Sequence, residues 1–138
     1  MKKIGEYTLK GQIPASSDQR ITLFDGRFDT GYRIESFQVG PTTDPSANDV
    51  FAKLSTIEGE SGIAWDWSSN TQVAWSAYGA TGASPNGVFT QIDPDNLIVE
   101  DLYISNGAAA ANYIITMTKY DISDWQGALA MVRNKSQG

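Results

Sequence analysis

One stretch near the end of the sequence constrains the fold more than any other. Two runs rich in β-forming residues, Asn96–Ser105 and Asn112–Tyr120, flank a turn of small residues, which predicts a long β-hairpin. In the second run Ile115 and Met117 share one face and Ile114 takes the other. This period of two is typical of a strand with one buried face. The stretch therefore predicts an antiparallel β-sheet built around its two arms.

The alternation of the first arm breaks at Glu100 and Asp101, and a β-bulge there would return Leu102 and Ile104 to the core. Further strands are predicted at Ile4–Ile13, Gln19–Phe24, Gly31–Val39, Val50–Ile57, Ile63–Trp67, Gln72–Ser76 and Val88–Ile92. Turn residues separate these strands, and no helical pattern lies between them. The pattern excludes an α/β fold and predicts an all-β, antiparallel β-sandwich of jelly-roll type.

The C-terminal residues follow a different pattern. Ser123 and Gln126 fit a helix capping box, and apolar residues then recur at helical spacing. We expect residues 1–122 to form the sandwich and residues 123–138 to form a short capped helix and tail. Such a helix is too short to be stable alone, so its apolar stripe must dock on the same domain or on a neighbouring subunit. The predicted assembly interface consists of Trp125, Leu129, Met131 and Val132.

Composition narrows the possible partners and chemistry. The 138 residues suit one domain, and the net charge of −6 argues against binding nucleic acid or an anionic membrane. The chain has no cysteine and no histidine, which excludes disulfides, thiolate metal sites and histidine-dependent catalysis. No apolar run follows Lys2 and Lys3, so we expect no signal peptide. No segment is apolar for long enough to span a membrane.

The most suggestive cluster is aromatic. Trp65, Trp67, Trp75 and Tyr78 lie close together in the sequence, with Asp66 among them. Exposed aromatic rings on a sandwich would form a glycan platform, with Asp66 accepting hydrogen bonds from sugar hydroxyls. The alternative is that the three tryptophans fill the core between the sheets, which their shared phase favours.

Acidic residues provide a second candidate site. Asp93 and Asp95, with Asn96 and Asp101, would supply oxygen ligands for calcium. The sequence of residues 93–96 is equally typical of a turn, and it lacks the residue spacing of a calcium-binding loop. Carboxylates near the tryptophans would suit a small hydrolase only if two of them met across a substrate, which nothing in their spacing requires. We therefore expect no enzyme activity, no metal and no cofactor.

Three segments resemble small uncharacterised proteins encoded by marine tailed bacteriophages. Two of them are Asn96–Ser105 and Ser123–Gln137. The third, Gly5–Val39, is similar to these proteins in the general character of its sequence. The resemblance implies a virion structural protein, made in the host cytoplasm and assembled in many copies, but it brings no site residues with it.

The function that follows is a non-enzymatic capsid decoration or cement protein that assembles as a symmetric homo-oligomer. Its partner would be the major capsid protein or another virion protein, and its location the virion. Two alternatives remain open from the sequence. One is a carbohydrate-binding module, carried on a virion or free, that uses the tryptophans; the other is a tail, fibre or baseplate component.

Overall fold

A computed structural model describes residues 2–24, 26–43, 49–58, 64–81, 84–107 and 109–123. Within these ranges the chain forms strands and loops, and no helix there is long and apolar enough to cross a membrane. The strands are β1 Lys2–Ile13, β2 Asp18–Ile21, β3 Thr30–Pro41, β4 Val50–Ser55, β5 Gln72–Thr81, β6 Ser84–Ile92, β7 Leu102–Asn106 and β8 Ala111–Asp121.

The strands form two antiparallel sheets, which confirms the predicted fold class. One sheet has the order β1-β8-β3 and the other β2-β7-β4-β5-β6. Because β1 pairs with β8 and β2 with β7, the chain folds back on itself and wraps into two sheets, as in a jelly roll. At the far edge β6 simply forms a hairpin with β5.

The main apolar core fills the space between the sheets, and a smaller cluster of Leu97, Val99 and Ile122 lies apart from it. Alternating residues of β3, β4 and β8 point inward, as the period of two predicts, so that Ile115 and Met117 are buried while Ile114 is exposed. The largest fully buried apolar side chains are Ile13, Ile34, Phe37, Val39, Val50, Leu54, Leu102, Ile104, Ile115 and Met117. The other face of each sheet is left for solvent or for a covering loop.

The predicted hairpin of Asn96–Tyr120 is wrong. Its two arms contain β7 and β8, which lie in opposite sheets and do not pair. The connection between them bonds to other parts of the chain: Gly107 N donates to Phe51 O at 3.0 Å, and Gly107 O accepts from Ser16 N at 2.7 Å. The Asn106 amide donates to Ala109 O at 2.8 Å and closes the turn. These contacts hold the connection as an arch between the sheets.

The predicted bulge at Glu100 and Asp101 is also absent, although Leu102 and Ile104 are buried as expected. The residues before β7 cross from one sheet to the other. Ile98 pairs with Tyr32 through two backbone hydrogen bonds of 2.7 Å, and then the chain leaves the β3 edge. Because both sides of this crossing are covered, three consecutive apolar residues are buried and the alternation is lost. They are Leu97, Ile98 and Val99.

The predicted C-terminal helix lies outside the described residues, apart from Ser123. The proposed interface residues Trp125, Leu129, Met131 and Val132 therefore lie outside them as well.

Candidate aromatic binding site

The candidate site lies on the outer face of the five-stranded sheet. Trp75 on β5 and Phe89 on β6 both point away from the core, because each alternates with inward-facing neighbours. The loop between β4 and β5 covers part of this face and carries Trp65 and Trp67. The Thr56 amide donates to Thr71 O at 2.8 Å and closes the base of the loop.

Gln72 connects the loop to the sheet. Its Oε1 accepts from Trp75 Nε1 and from the backbone amide of Asp66, both at 2.9 Å. Gln72 is buried, so these hydrogen bonds are shielded from competing water. One amide side chain thus fixes both the buried indole and the start of the segment that carries Trp67.

Asp66 holds Trp67 in a tight turn. Its Oδ1 accepts from Ser68 N at 3.0 Å and from Ser68 Oγ at 2.5 Å, and its carbonyl accepts from Ser69 N at 3.1 Å. This is an Asx-turn, in which an aspartate side chain replaces a backbone acceptor. The Ser68 hydrogen bonds, first from its side chain and then from its backbone, lower the pKa of Asp66. The carboxylate therefore stays ionised under mildly acidic conditions.

A buried lysine on the underlying sheet supports the loop between β4 and β5. Lys53 on β4 is fully buried and lies opposite Trp75 on β5 and Ser105 on β7. Its Nζ donates to Ala64 O at 2.8 Å, immediately before Trp65 in the chain. Burial of an ammonium group is costly, and it is retained only where it has partners. Lys53 thus fastens the segment that carries the indoles.

The exposed part of the site is an aromatic platform, which we define as Trp65, Trp67 and Phe89. Trp67 is 63% exposed and lies nearly parallel to Phe89, with ring centroids 6.3 Å apart and an angle of 12°. Trp65 stacks on the same phenyl ring at 5.7 Å and is half-buried. Trp75 is buried and meets Trp67 edge to face at 6.0 Å, so it supports the platform without being part of its surface.

A few polar groups adjoin the platform. Asp66 is exposed and has a second carboxylate oxygen, Oδ2, beside the one that Ser68 occupies. Trp65 Nε1 and Gln72 Nε2 are buried and have no hydrogen-bond partner among the described residues. Both atoms are donors only, so any group that satisfies them must be an acceptor, such as a hydroxyl or carboxylate oxygen. Aromatic rings beside a few polar groups are the composition of a small-molecule site.

The structure separates the four residues predicted to act together. Trp65, Trp67 and Trp75 come together, but Tyr78 faces inward and packs against the core. The predicted strand Ile63–Trp67 is wrong, because residues 64–66 are irregular and Trp67 lies in a turn. The interpretation that the tryptophans fill the core between the sheets is also wrong, because even the buried Trp75 lies on the outer face.

Sequence reasoning missed three members of the site: Lys53, Gln72 and Phe89. Lys53 interrupts an apolar strand at an outward position, which is a weak signal for a covered outer face. Gln72 and Phe89 gave no signal, since only the pairing of β4, β5 and β6 brings them beside the loop.

The acidic residues considered for calcium have structural partners instead. Asp101 accepts from Leu23 N at 2.9 Å and from Arg20 Nε at 2.7 Å. Asn96 accepts from Ile34 N at 2.9 Å and donates to Asp93 O at 2.6 Å. Within the described ranges, no group of acidic residues is arranged to hold a metal ion.

Comparisons with known proteins add no relationship. No protein-family model, no curated protein and no solved structure matches the chain. The geometry of the site is therefore the basis for its function.

Proposed function

We propose that this protein is a non-enzymatic binding domain that holds carbohydrate on the aromatic platform. The observation that carries the proposal is the exposure of Trp67 beside the nearly parallel ring of Phe89. Exposed apolar surface of this kind is characteristic of binding sites. A pyranose ring suits it, because its C–H face is apolar while its rim carries hydroxyl groups.

The rigidity of the platform supports this proposal. The Asx-turn of Asp66 fixes the backbone on both sides of Trp67, and Gln72 ties that turn to the sheet. A ligand therefore meets rings that are already oriented, which lowers the entropic cost of binding. The Asp66 carboxylate would accept a hydrogen bond from a hydroxyl at the rim of the sugar.

The test is a titration of the purified chain with a panel of oligosaccharides, followed by tryptophan fluorescence. Stacking that removes about 50–100 Å² of apolar surface from water contributes about 1–2.5 kcal/mol, so Trp67→Ala should weaken binding by about 5- to 70-fold. The variant should fold normally, since Trp67 is largely exposed.

A matched control is Val88→Ala. Val88 is 58% exposed but faces the opposite side of the sheet from Phe89, its neighbour on β6. The Val88→Ala variant should bind any sugar identified in the panel with the same affinity as the wild type. Binding that survives Trp67→Ala, or that falls equally in both variants, would contradict the proposed site.

A second proposal is the virion structural role, which the jelly-roll order of the strands favours, since viral capsid proteins are among the proteins that use this architecture. Lectin domains use it too, so fold does not choose between them. Under the virion proposal, removal of residues 123–138 should abolish binding to capsids while the sandwich still folds. Normal capsid binding by the shortened chain would contradict the role proposed for the tail.

A further inference from the structure

The first strand forms an open edge of the three-stranded sheet. Among the described residues β1 pairs with β8 alone, along twelve residues from Lys2 to Ile13. An open edge leaves alternate N–H and C=O groups without strand partners, and such groups accept a further strand. A strand of this length is an unusually long edge, since most strands have about five or six residues.

The side chains of β1 leave both of its faces partly uncovered. Glu6, Thr8 and Lys10 lie on the outer face and are exposed. Tyr7 and Leu9 lie on the inner side, yet Tyr7 is 47% exposed and Leu9 is only half-buried. Apolar side chains on the core side of an edge strand normally become buried when a neighbouring strand covers them.

We propose that β1 pairs antiparallel with β1 of a second copy of this chain, about a two-fold axis at Thr8. In that register Glu6 of one copy lies opposite Lys10 of the other, and the reverse pair occurs on the other side of the axis. Tyr7 lies opposite Leu9 in the same way, on the inner side. A two-fold axis makes every contact occur twice, so one complementary pair gives two.

The charges of β1 favour this register over its neighbours. An axis at Glu6 would place the two Glu6 carboxylates opposite each other. An axis at Lys10 would place the two Lys10 ammonium groups opposite each other, which is also repulsive. An axis at Tyr7 or Leu9 would pair neither Glu6 nor Lys10 with an opposite charge. The Lys3 ammonium donates to Glu6 Oε1 at 2.7 Å within one chain, which holds the carboxylate ionised and leaves Oε2 for the second copy.

This dimer would join two three-stranded sheets into one sheet of six strands. Because the axis is perpendicular to that sheet, both five-stranded sheets lie on the same side of it. The two aromatic platforms would then point in the same direction, which, if the proposed function holds, allows one dimer to bind two sites on one surface. The pairing itself depends only on β1.

The experiment is sedimentation equilibrium of the full chain without sugar, over a range of concentrations. The wild type should show a monomer–dimer equilibrium. Glu6→Lys and Lys10→Glu each convert two attractive pairs into two repulsive ones, so each variant should dimerise at least about tenfold more weakly. Glu58→Lys, which makes the same charge change at an exposed position outside β1, should dimerise like the wild type.

A mixture of the two charge variants provides the decisive test. An equimolar mixture of Glu6→Lys and Lys10→Glu restores both opposite-charge pairs, so heterodimers should form with about wild-type affinity. A wild type that stays monomeric overturns the proposal. The proposal is also overturned if both charge variants dimerise like the wild type, or if their mixture stays monomeric. Either result means that Glu6 and Lys10 do not meet across the axis.

Discussion

Replacement of Asp101 tests how the edge strand β2 is held to the rest of its sheet. The carboxylate is nearly buried, and its Oδ1 accepts from Leu23 N at 2.9 Å and from Phe24 N at 3.1 Å. Oδ2 accepts from Arg20 Nε at 2.7 Å. Asp101→Ala therefore removes one anion and leaves two backbone donors without their acceptor.

The size of the expected loss in stability depends on which hydrogen-bond partners of Asp101 are shielded from water. An unsatisfied buried donor costs about 1–3 kcal/mol, so the buried Leu23 amide and the partly buried Phe24 amide together predict a loss of about 3 kcal/mol. The Arg20 side chain is 62% exposed, and an exposed ion pair contributes at most about 1 kcal/mol. Arg20→Ala should therefore cost about a third as much as Asp101→Ala, although both remove the same ion pair.

The assay is urea unfolding followed by circular dichroism. With a slope of about 1.5 kcal/mol/M, Asp101→Ala should lower the midpoint by about 2 M and Arg20→Ala by less than about 0.7 M. Asp18→Ala removes an exposed carboxylate from the same strand and should change the free energy of unfolding by less than about 0.5 kcal/mol. Equal losses in Asp101→Ala and Arg20→Ala would refute the reasoning, because the ion pair would then dominate.

The environment of Asp101 also predicts that the free energy of unfolding depends on pH. Burial raises the pKa of Asp101, but the hydrogen bonds from Phe24, Arg20 and Leu23 outweigh it and lower the pKa overall. A lowered pKa stabilises the fold above the ordinary carboxyl value of about 3.9, and this stabilisation is lost as the pH falls through the folded pKa. The difference between wild type and Asp101→Ala should thus be constant near neutrality and shrink below about pH 4.

Three further predictions concern packing and the site. Gly107→Ala places a methyl group 2.4 Å from the Phe51 ring and should cost about 1–3 kcal/mol in urea unfolding, whereas Gly40→Ala, with open space around it, should cost nothing. Lys53→Met should change the free energy of unfolding by less than about 1 kcal/mol, because an apolar side chain replaces a buried charge, yet it should weaken sugar binding by loosening the loop. Because the pKa of Asp66 is lowered, sugar affinity should hold from pH 7 to about pH 4 and then fall; Asp66→Asn should weaken it over that range and abolish the fall below it.

The sequence predicted local strand structure better than strand pairing. The alternation of Ile114, Ile115 and Met117 identified the buried face of β8, because burial on one side depends on neighbours two residues apart. The partners of β8 lie at least seventy positions away in β3 and about a hundred or more away in β1. A turn of small residues after Ser105 is consistent with either a hairpin or an arch, so the pattern alone could not distinguish them.

The candidate site shows the same limit. The tryptophans were recognisable as a cluster, but their period of two suggested a strand, while the Asx-turn of Asp66 places Trp67 in solvent. Their exposure depends on the hydrogen bonds of Gln72 and on Phe89 from a later strand. Such contacts depend on the pairing of β5 with β6, and they leave no periodic signal in the sequence.

The most direct test of the aromatic platform is an NMR titration that observes the indole N–H signals of the four tryptophans while sugars are added. The account predicts that a bound sugar shifts the Trp67 and Trp65 signals most, and the buried Trp75 signal less. The assignments come from single Trp→Phe variants. A panel of sugars that leaves the Trp67 signal unmoved, or that shifts only other indoles, would contradict the proposed function.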